Sequence, residues 1–111
     1  MNNNAAITKN GYFCIMARVD EIKSLLVNSL PSLKMRYPIS RLAIFGSYAR
    51  GEATDNSDID ILVEFNGDIG WDFFDLANDL QKLLHRKVDL VSGKAIKPHY
   101  WPHIKPDLIY V

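Results

Sequence analysis

The stretch from Ile44 to Val63, IFGSYARGEATDNSDIDILV, constrains the fold more than any other part of the chain. It holds a short apolar run that stops at a glycine, a polar segment of turn-forming residues, and a second apolar run that begins with alternating aspartates. Gly46 and Gly51 have the spacing of a P-loop, but Glu52 and Ala53 stand where that loop needs lysine and then serine or threonine. The pattern therefore predicts two strands joined by a turn that is not a P-loop.

The turn after the first strand is nonetheless suited to a phosphate group. A glycine in this place lets the backbone turn sharply and approach a ligand closely. The N–H groups that follow it, at the start of a helix, favour an anion, and the hydroxyl of Ser47 can donate to a phosphate oxygen. We therefore expect Gly46 and Ser47 to bind phosphate. Arg50, in the same turn, either holds a phosphate as well or pairs with Glu52 or Asp55.

Aspartates at the start of the second strand predict a metal site. Alternate side chains of a strand share a face, so Asp58 and Asp60 point the same way, about 7 Å apart, while Ile59 and Ile61 point into the core. Two like charges on one face repel unless a cation lies between them, and carboxylate oxygens suit Mg²⁺. Asp89 can join this cluster if its strand lies beside the second one. It could then hold a second metal ion and accept a proton from an attacking hydroxyl.

Apolar periodicity extends these strands into one α+β domain. Short strands are predicted over 40–46, 58–65 and 87–92, and the spacing of leucines and phenylalanines predicts a helix over 71–86. A further helix should begin at Val19, and Pro31 should end it near Asn28 or start a second short helix that runs to Tyr37. Prolines at 98, 102 and 106 predict a broken helix in the aromatic C-terminal segment.

The order of these motifs resembles the minimal nucleotidyltransferase family of the DNA polymerase β superfamily. The resemblance rests on the G-S pair at 46–47, the S-D-x-D motif at 57–60 and the later acid in VDLV, and it extends over about residues 16–111. It implies a small mixed β-sheet with helices packed on it. It also implies phosphate binding at Gly46 and Ser47, with metal binding and catalysis at Asp58, Asp60 and Asp89.

Within that family, the short chain is similar to the MNT antitoxins that are encoded beside HEPN-domain toxins. This similarity implies a Mg²⁺-dependent enzyme, with two ions as the expected number, that transfers AMP from ATP to a tyrosine hydroxyl of its cognate HEPN toxin. The rival interpretation is a binding module without catalysis that neutralises its partner by covering it. A third interpretation, modification of a small molecule such as an aminoglycoside, is disfavoured because no substrate domain is visible.

Composition excludes several other classes of protein. Thirteen basic and 13 acidic residues give a formal charge of zero, so no broad surface for DNA or RNA is expected. Cys14 is the one cysteine, which favours a reducing, cytoplasmic setting, and no apolar run is long enough to cross a membrane. We expect residues 1–15 to form a flexible tail and residues 16–111 the domain, with Met16 as an alternative start to Met1.

Several other histidine, acidic and aromatic side chains are not assigned to a binding or catalytic site. His99 and His103 have a spacing that can hold zinc on a helix, but Pro102 between them favours a surface role. Glu64 and Asp68 are interpreted as surface residues. Packing is the favoured role for the C-terminal aromatic residues Tyr100, Trp101 and Tyr110. Two further aromatic residues can line either the core or a partner surface: Trp71 and Phe74.

Overall fold

The computed structural model describes residues 11–111, with side chains described from Val19 onward. It has one mixed four-stranded sheet in the order β3-β2-β1-β4. The strands are β1 (Ile39–Phe45), β2 (Ile59–Phe65), β3 (Val88–Ser92) and β4 (Ile109–Tyr110). The principal helices are α1 (Gly11–Arg36) and α3 (Asp72–Leu84), and one helical turn, α2 (Gly46–Ala49), follows β1 directly. The predicted α+β class with a small mixed sheet is confirmed.

The direction of the strands brings distant parts of the sequence together. β1 runs antiparallel to both β2 and β4, whereas β2 and β3 are parallel. Parallel neighbours need a crossover connection, and α3 supplies it. The parallel register sets Asp60 beside Asp89, so two acids that are far apart in sequence become neighbours in the sheet.

The sheet has one face in the hydrophobic core and one face that carries the acids. Ile59, Ile61 and Val63 alternate along β2 and are fully buried in the core, together with leucines of α1 and α3. The intervening residues Asp60 and Glu64 lie on the other face. The core-forming leucines of the two helices are Leu26, Leu33, Leu76, Leu80 and Leu84.

Helix α1 passes through Pro31 without ending, so the prediction of a break at this residue was wrong. Proline removes one backbone hydrogen bond from a helix interior and disfavours the helical path. Here Leu26 and Leu33, on either side of the proline, are both buried in the same core. Burial on both sides offsets the local cost, because the stability of most protein helices comes from the packing of an apolar face.

The C-terminal segment is broken into short turns, as predicted, but it also contains an unpredicted strand. Helical turns occupy Pro98–Tyr100, Trp101–Ile104 and Lys105–Asp107. The chain then adds β4 at the edge of the sheet, where Ile109 pairs with Ile44 and Tyr110 with Ala43. A strand of two residues is too short to show an alternating pattern, so local sequence does not reveal it.

The predicted tail over 1–15 falls largely outside the described residues. Residues 1–10 are outside them, and α1 as described begins at Gly11, which includes the last five residues of that stretch. The domain boundary at Met16 therefore stays a prediction. Within 11–111, no helix is long and apolar enough to span a membrane, although α1 has 26 residues.

Candidate active site

The glycine that follows β1 is packed directly against Asp60, one of the acids of the candidate site. Gly46 has a positive φ of 74°, a conformation that glycine adopts without strain. A Cβ atom at this position would overlap the Asp60 carboxylate and lie 3.0 Å from its Cγ. Tyr48, in the same helical turn, is fully buried and anchors α2 in the core. The G-S turn is thus fixed against the sheet, and the absence of a side chain at 46 makes room for the Asp60 carboxylate.

Asp60 and Asp89 occupy adjacent positions on parallel strands. Their Cα atoms are register partners, and on its other side Asp60 is paired with Phe45, the last residue of β1. Partial burial raises the pKa of Asp60 to about 6, and repulsion from Asp89 and then Asp58 adds to the effect. The positive charge of Arg50 acts in the opposite direction. These acids therefore form a site in which a cation would relieve repulsion.

Asp58 lies at the open edge of this site. It is exposed, it precedes β2 by one residue, and its charge contributes to the raised pKa of Asp60. Among the residues whose side chains are described, no group of three histidine, cysteine, aspartate or glutamate side chains is arranged so that it could hold a metal ion. A pair of carboxylates nevertheless fits Mg²⁺, which is commonly held by one or two carboxylates, with water and substrate phosphates as the other ligands.

Arg50 faces the acids and is held by two carboxylates of its own. Its Nε donates to Glu52 Oε1 at 3.0 Å and its Nη1 donates to Asp107 Oδ2 at 2.8 Å. Pairing with Glu52 was one of the predicted alternatives, and the contact with Asp107 was not predicted. Asp107 is 57 residues away in sequence and lies in a polar turn, so no local pattern could reveal it. The pair joins the C-terminal segment to the turn that follows β1.

The other candidate residues do not join the site. Glu64 accepts two hydrogen bonds of 3.1 Å from Nη2 of Arg41, which neutralises its charge. His99 and His103 are exposed and belong to no metal-binding group among the described side chains. Trp71 and Phe74, whose role was left open, are largely exposed.

Sequence comparison relates this chain to known proteins over most of its length. The profile of the nucleotidyltransferase domain family matches residues 27–110. A candidate protein adenylyltransferase of Methanocaldococcus jannaschii is 49% identical over 98 residues, which cover 86% of this chain and 100% of that protein. The protein adenylyltransferase MntA of Thermococcus cleftensis is 35% identical over 97 residues, covering 86% of this chain and 98% of MntA.

Solved structures share the fold. A minimal nucleotidyltransferase superposes with a TM-score of 0.62 at 32% identity, over 88% of this chain and 93% of that one. A chain of an MntA–HepT toxin–antitoxin complex gives 0.58 at 26% identity, over 83% and 69%. A toxin–antitoxin structure with AMP-PNP gives 0.51 at 30% identity, over 71% and 60%. The fold of this chain is thus shared with solved nucleotidyltransferase-type structures.

Proposed function

Because the chain belongs to the nucleotidyltransferase domain family and is a protein adenylyltransferase of the MntA type, we propose that it silences a cognate HEPN-domain toxin by attaching AMP from ATP. The acceptor we propose is a tyrosine hydroxyl of that toxin. The observation that carries the proposal is the pair of adjacent acids, Asp60 and Asp89, of which Asp60 lies directly against the glycine turn. This arrangement can hold a cation and a triphosphate together.

The turn would bind the phosphates of ATP. Gly46 leaves the backbone open to close approach, and the first N–H groups of α2 have no partner within the helix. Ser47 can donate its hydroxyl to a phosphate oxygen. Arg50 carries its charge beside the acids and can pair with a phosphate group while Asp107 keeps its guanidinium in place.

The acids would hold Mg²⁺ and receive a proton. Asp60 and Asp89 supply the carboxylate pair, with Asp58 as a third ligand at the open edge. A bound Mg²⁺ would neutralise charge that develops on the phosphates. Asp89 takes the proton of the acceptor hydroxyl as the oxygen forms its bond to the α-phosphorus, and the bond to pyrophosphate breaks. The remaining contribution of the protein is placement of the two reactants.

The direct test is transfer of AMP to the partner. The purified HEPN protein encoded beside this chain is incubated with ATP and Mg²⁺, with and without the enzyme, and is then weighed by intact mass spectrometry. We expect an increase equal to one or more AMP groups, located on tyrosine by peptide fragmentation. Asp60→Asn and Asp89→Asn should abolish it, whereas Asp20→Asn, the same change at an exposed position of α1, should leave it intact.

A double variant of the site acids decides between catalysis and simple coverage of the partner. If the double variant Asp58→Asn, Asp60→Asn still neutralises the toxin fully at natural dosage, the protein acts by occlusion. If wild-type protein adds no AMP mass although the toxin is bound, catalysis of this reaction is rejected. A transfer that works equally well with a chelator present would reject the metal requirement alone.

A further inference from the structure

Two large aromatic rings lie in solvent at the start of α3. Trp71 is 84% exposed and Phe74 is 59% exposed, and their ring centroids are 5.9 Å apart. Phe74 meets Phe73 edge to face at 5.6 Å, and Phe73 meets Phe65 at 6.4 Å. We call Trp71 and Phe74 the α3 aromatic patch. Its rings are connected through Phe73 and Phe65 to the edge of the core, so they form a supported surface.

Neither helix formation nor core packing explains Trp71. It occupies the N-cap position of α3 and makes no side-chain capping hydrogen bond there. Serine, threonine, aspartate and asparagine are the residues that stabilise this position. The indole is 84% exposed, so it gains little burial in the chain itself. Because Trp71 neither caps the helix nor packs in the core, a contact with another molecule explains a tryptophan at this position better.

Three acidic residues flank the patch along the chain. Asp68, Asp72 and Asp75 are exposed, and none of them has an ion-pair partner among the described residues. The helix dipole accounts for acids in the first turn, which covers Asp72 and Asp75. Asp68 precedes the helix and is outside that explanation. Apolar rings flanked by acidic residues complement a protein surface that presents apolar side chains flanked by lysine and arginine.

The patch lies beyond the opposite end of β2 from the candidate active site. Asp60 is near the start of this strand and Phe65 ends it, a separation of about 17 Å along the strand. The patch therefore does not touch the reacting atoms. An interface of ordinary size, about 800 Å² on each partner, extends over such a distance. A site at this position can hold an acceptor protein and leave its reacting segment free to reach the acids.

We propose that the α3 aromatic patch is the docking surface for the acceptor protein, which binds it with apolar side chains bordered by basic ones. This inference rests on the proposed function, because it takes the acceptor to be a protein. To the proposed function it adds the surface of this chain that binds the acceptor and the kind of side chains that this surface binds. Tryptophan is common among the residues that dominate binding energy at interfaces, so truncation at Trp71 should weaken the complex more than any neighbouring change.

The test compares binding of the HEPN partner to three single variants. Trp71→Ser and Phe74→Ser remove the patch, and Met35→Ser removes an equally apolar residue that is 89% exposed on α1. We expect Trp71→Ser to raise the Kd for the partner about 30-fold, which corresponds to about 2 kcal/mol. Phe74→Ser should raise it less and Met35→Ser by less than about twofold. Serine is a good N-cap, so Trp71→Ser should fold normally, and thermal unfolding checks this.

Catalytic measurements separate docking from chemistry. At saturating partner, Trp71→Ser should transfer AMP at the wild-type rate, with a raised KM for the partner and an unchanged KM for ATP. Higher salt should weaken wild-type binding, and Asp72→Asn with Asp75→Asn should reduce that sensitivity. If wild type binds the partner but transfers no AMP, the proposed function fails, and the binding comparison still tests the patch.

Three outcomes would overturn the inference. One is equal partner affinity of Trp71→Ser and Met35→Ser. Another is a wild-type protein that binds no HEPN partner. The third is a wild-type dimer that Trp71→Ser converts to a monomer while partner affinity stays unchanged, since the patch would then join two copies of this chain.

Discussion

The two ends of β2 carry acids on the same face, and their surroundings differ in kind. Glu64, toward the end of the strand, receives two hydrogen bonds from Arg41 and needs nothing more. Asp60, four residues earlier, stands beside Asp89 and against Gly46, with a pKa raised to about 6. One acid is paired with an arginine within the fold, and the other is the acid that we propose to bind a ligand. A carboxylate that stands beside another carboxylate is therefore a better indicator of a functional site than one that is paired with an arginine.

The largest expected effect on AMP transfer comes from comparing the removal of the Asp60 charge with the removal of the Glu64 charge, at opposite ends of β2. Asp60→Asn should lower AMP transfer by at least about 10³-fold, because in the proposed mechanism it removes a charge that positions the phosphates and their cation. Glu64→Gln should leave transfer unchanged and reduce stability by at most about 1 kcal/mol, the usual value of an exposed ion pair. Initial rates of AMP transfer and urea unfolding of both variants check this. Equal losses of activity would remove the distinction between the two ends.

The two glycines of positive φ give the next effect. Gly46→Ala places a Cβ against the Asp60 carboxylate, whereas at Gly51, with φ of 73°, a Cβ meets nothing within 4 Å. Gly51→Ala should cost about 1 kcal/mol of unfolding free energy, the conformational penalty alone. Gly46→Ala should cost at least about 2 kcal/mol and slow AMP transfer about 100-fold, since the acid is displaced. Urea denaturation with activity assays compares them, and identical behaviour would show that the glycine turn does not position Asp60.

A smaller effect is expected where the C-terminal segment meets the site. Asp107→Asn weakens the ion pair that holds Arg50, so the KM for ATP should rise about threefold while kcat stays within about twofold. Asp107→Glu should restore most of the affinity. Asp20→Asn, at an exposed position far from Arg50 in sequence, serves as the control. Steady-state kinetics over a range of ATP concentrations measure both constants, and a drop in kcat alone would contradict a role in nucleotide binding.

The smallest expected effect is a pH dependence of stability. The folded pKa of Asp60, about 6, lies above its ordinary value of 3.8, so the folded state retains a proton that the unfolded chain has lost between these pH values. Unfolding free energy should therefore fall as pH rises from 4 to 6. Because the carboxylate is only half-buried, solvent screening limits the loss to about 1 kcal/mol. Urea unfolding in a chelator should show this loss in wild type and lack it in Asp60→Asn.

Sequence reasoning worked where the cause of structure is local. The apolar alternation of β2 and the spacing of α3 are short-range patterns, and they predicted both elements within two residues of their observed ends. The predicted turn after β1 and the predicted closeness of Asp60 and Asp89 agree with the structure, whereas binding of phosphate and metal by these residues stays a prediction. Pro31 was misjudged because burial on both sides of it, which no local pattern contains, keeps α1 intact. The contact of Arg50 with Asp107 depends on how the chain returns to the sheet.

The crossover through α3 has a consequence for the newly made chain. Asp60 leaves the ribosome well before Asp89. The two acids become neighbours only after α3 has formed and β3 has paired with β2. A nascent polypeptide that ends before β3 carries the glycine turn together with Asp58 and Asp60, but it lacks Asp89 and the parallel strand that pairs with β2. The proposed triphosphate site is therefore completed late in synthesis, in the single step in which β3 pairs with β2.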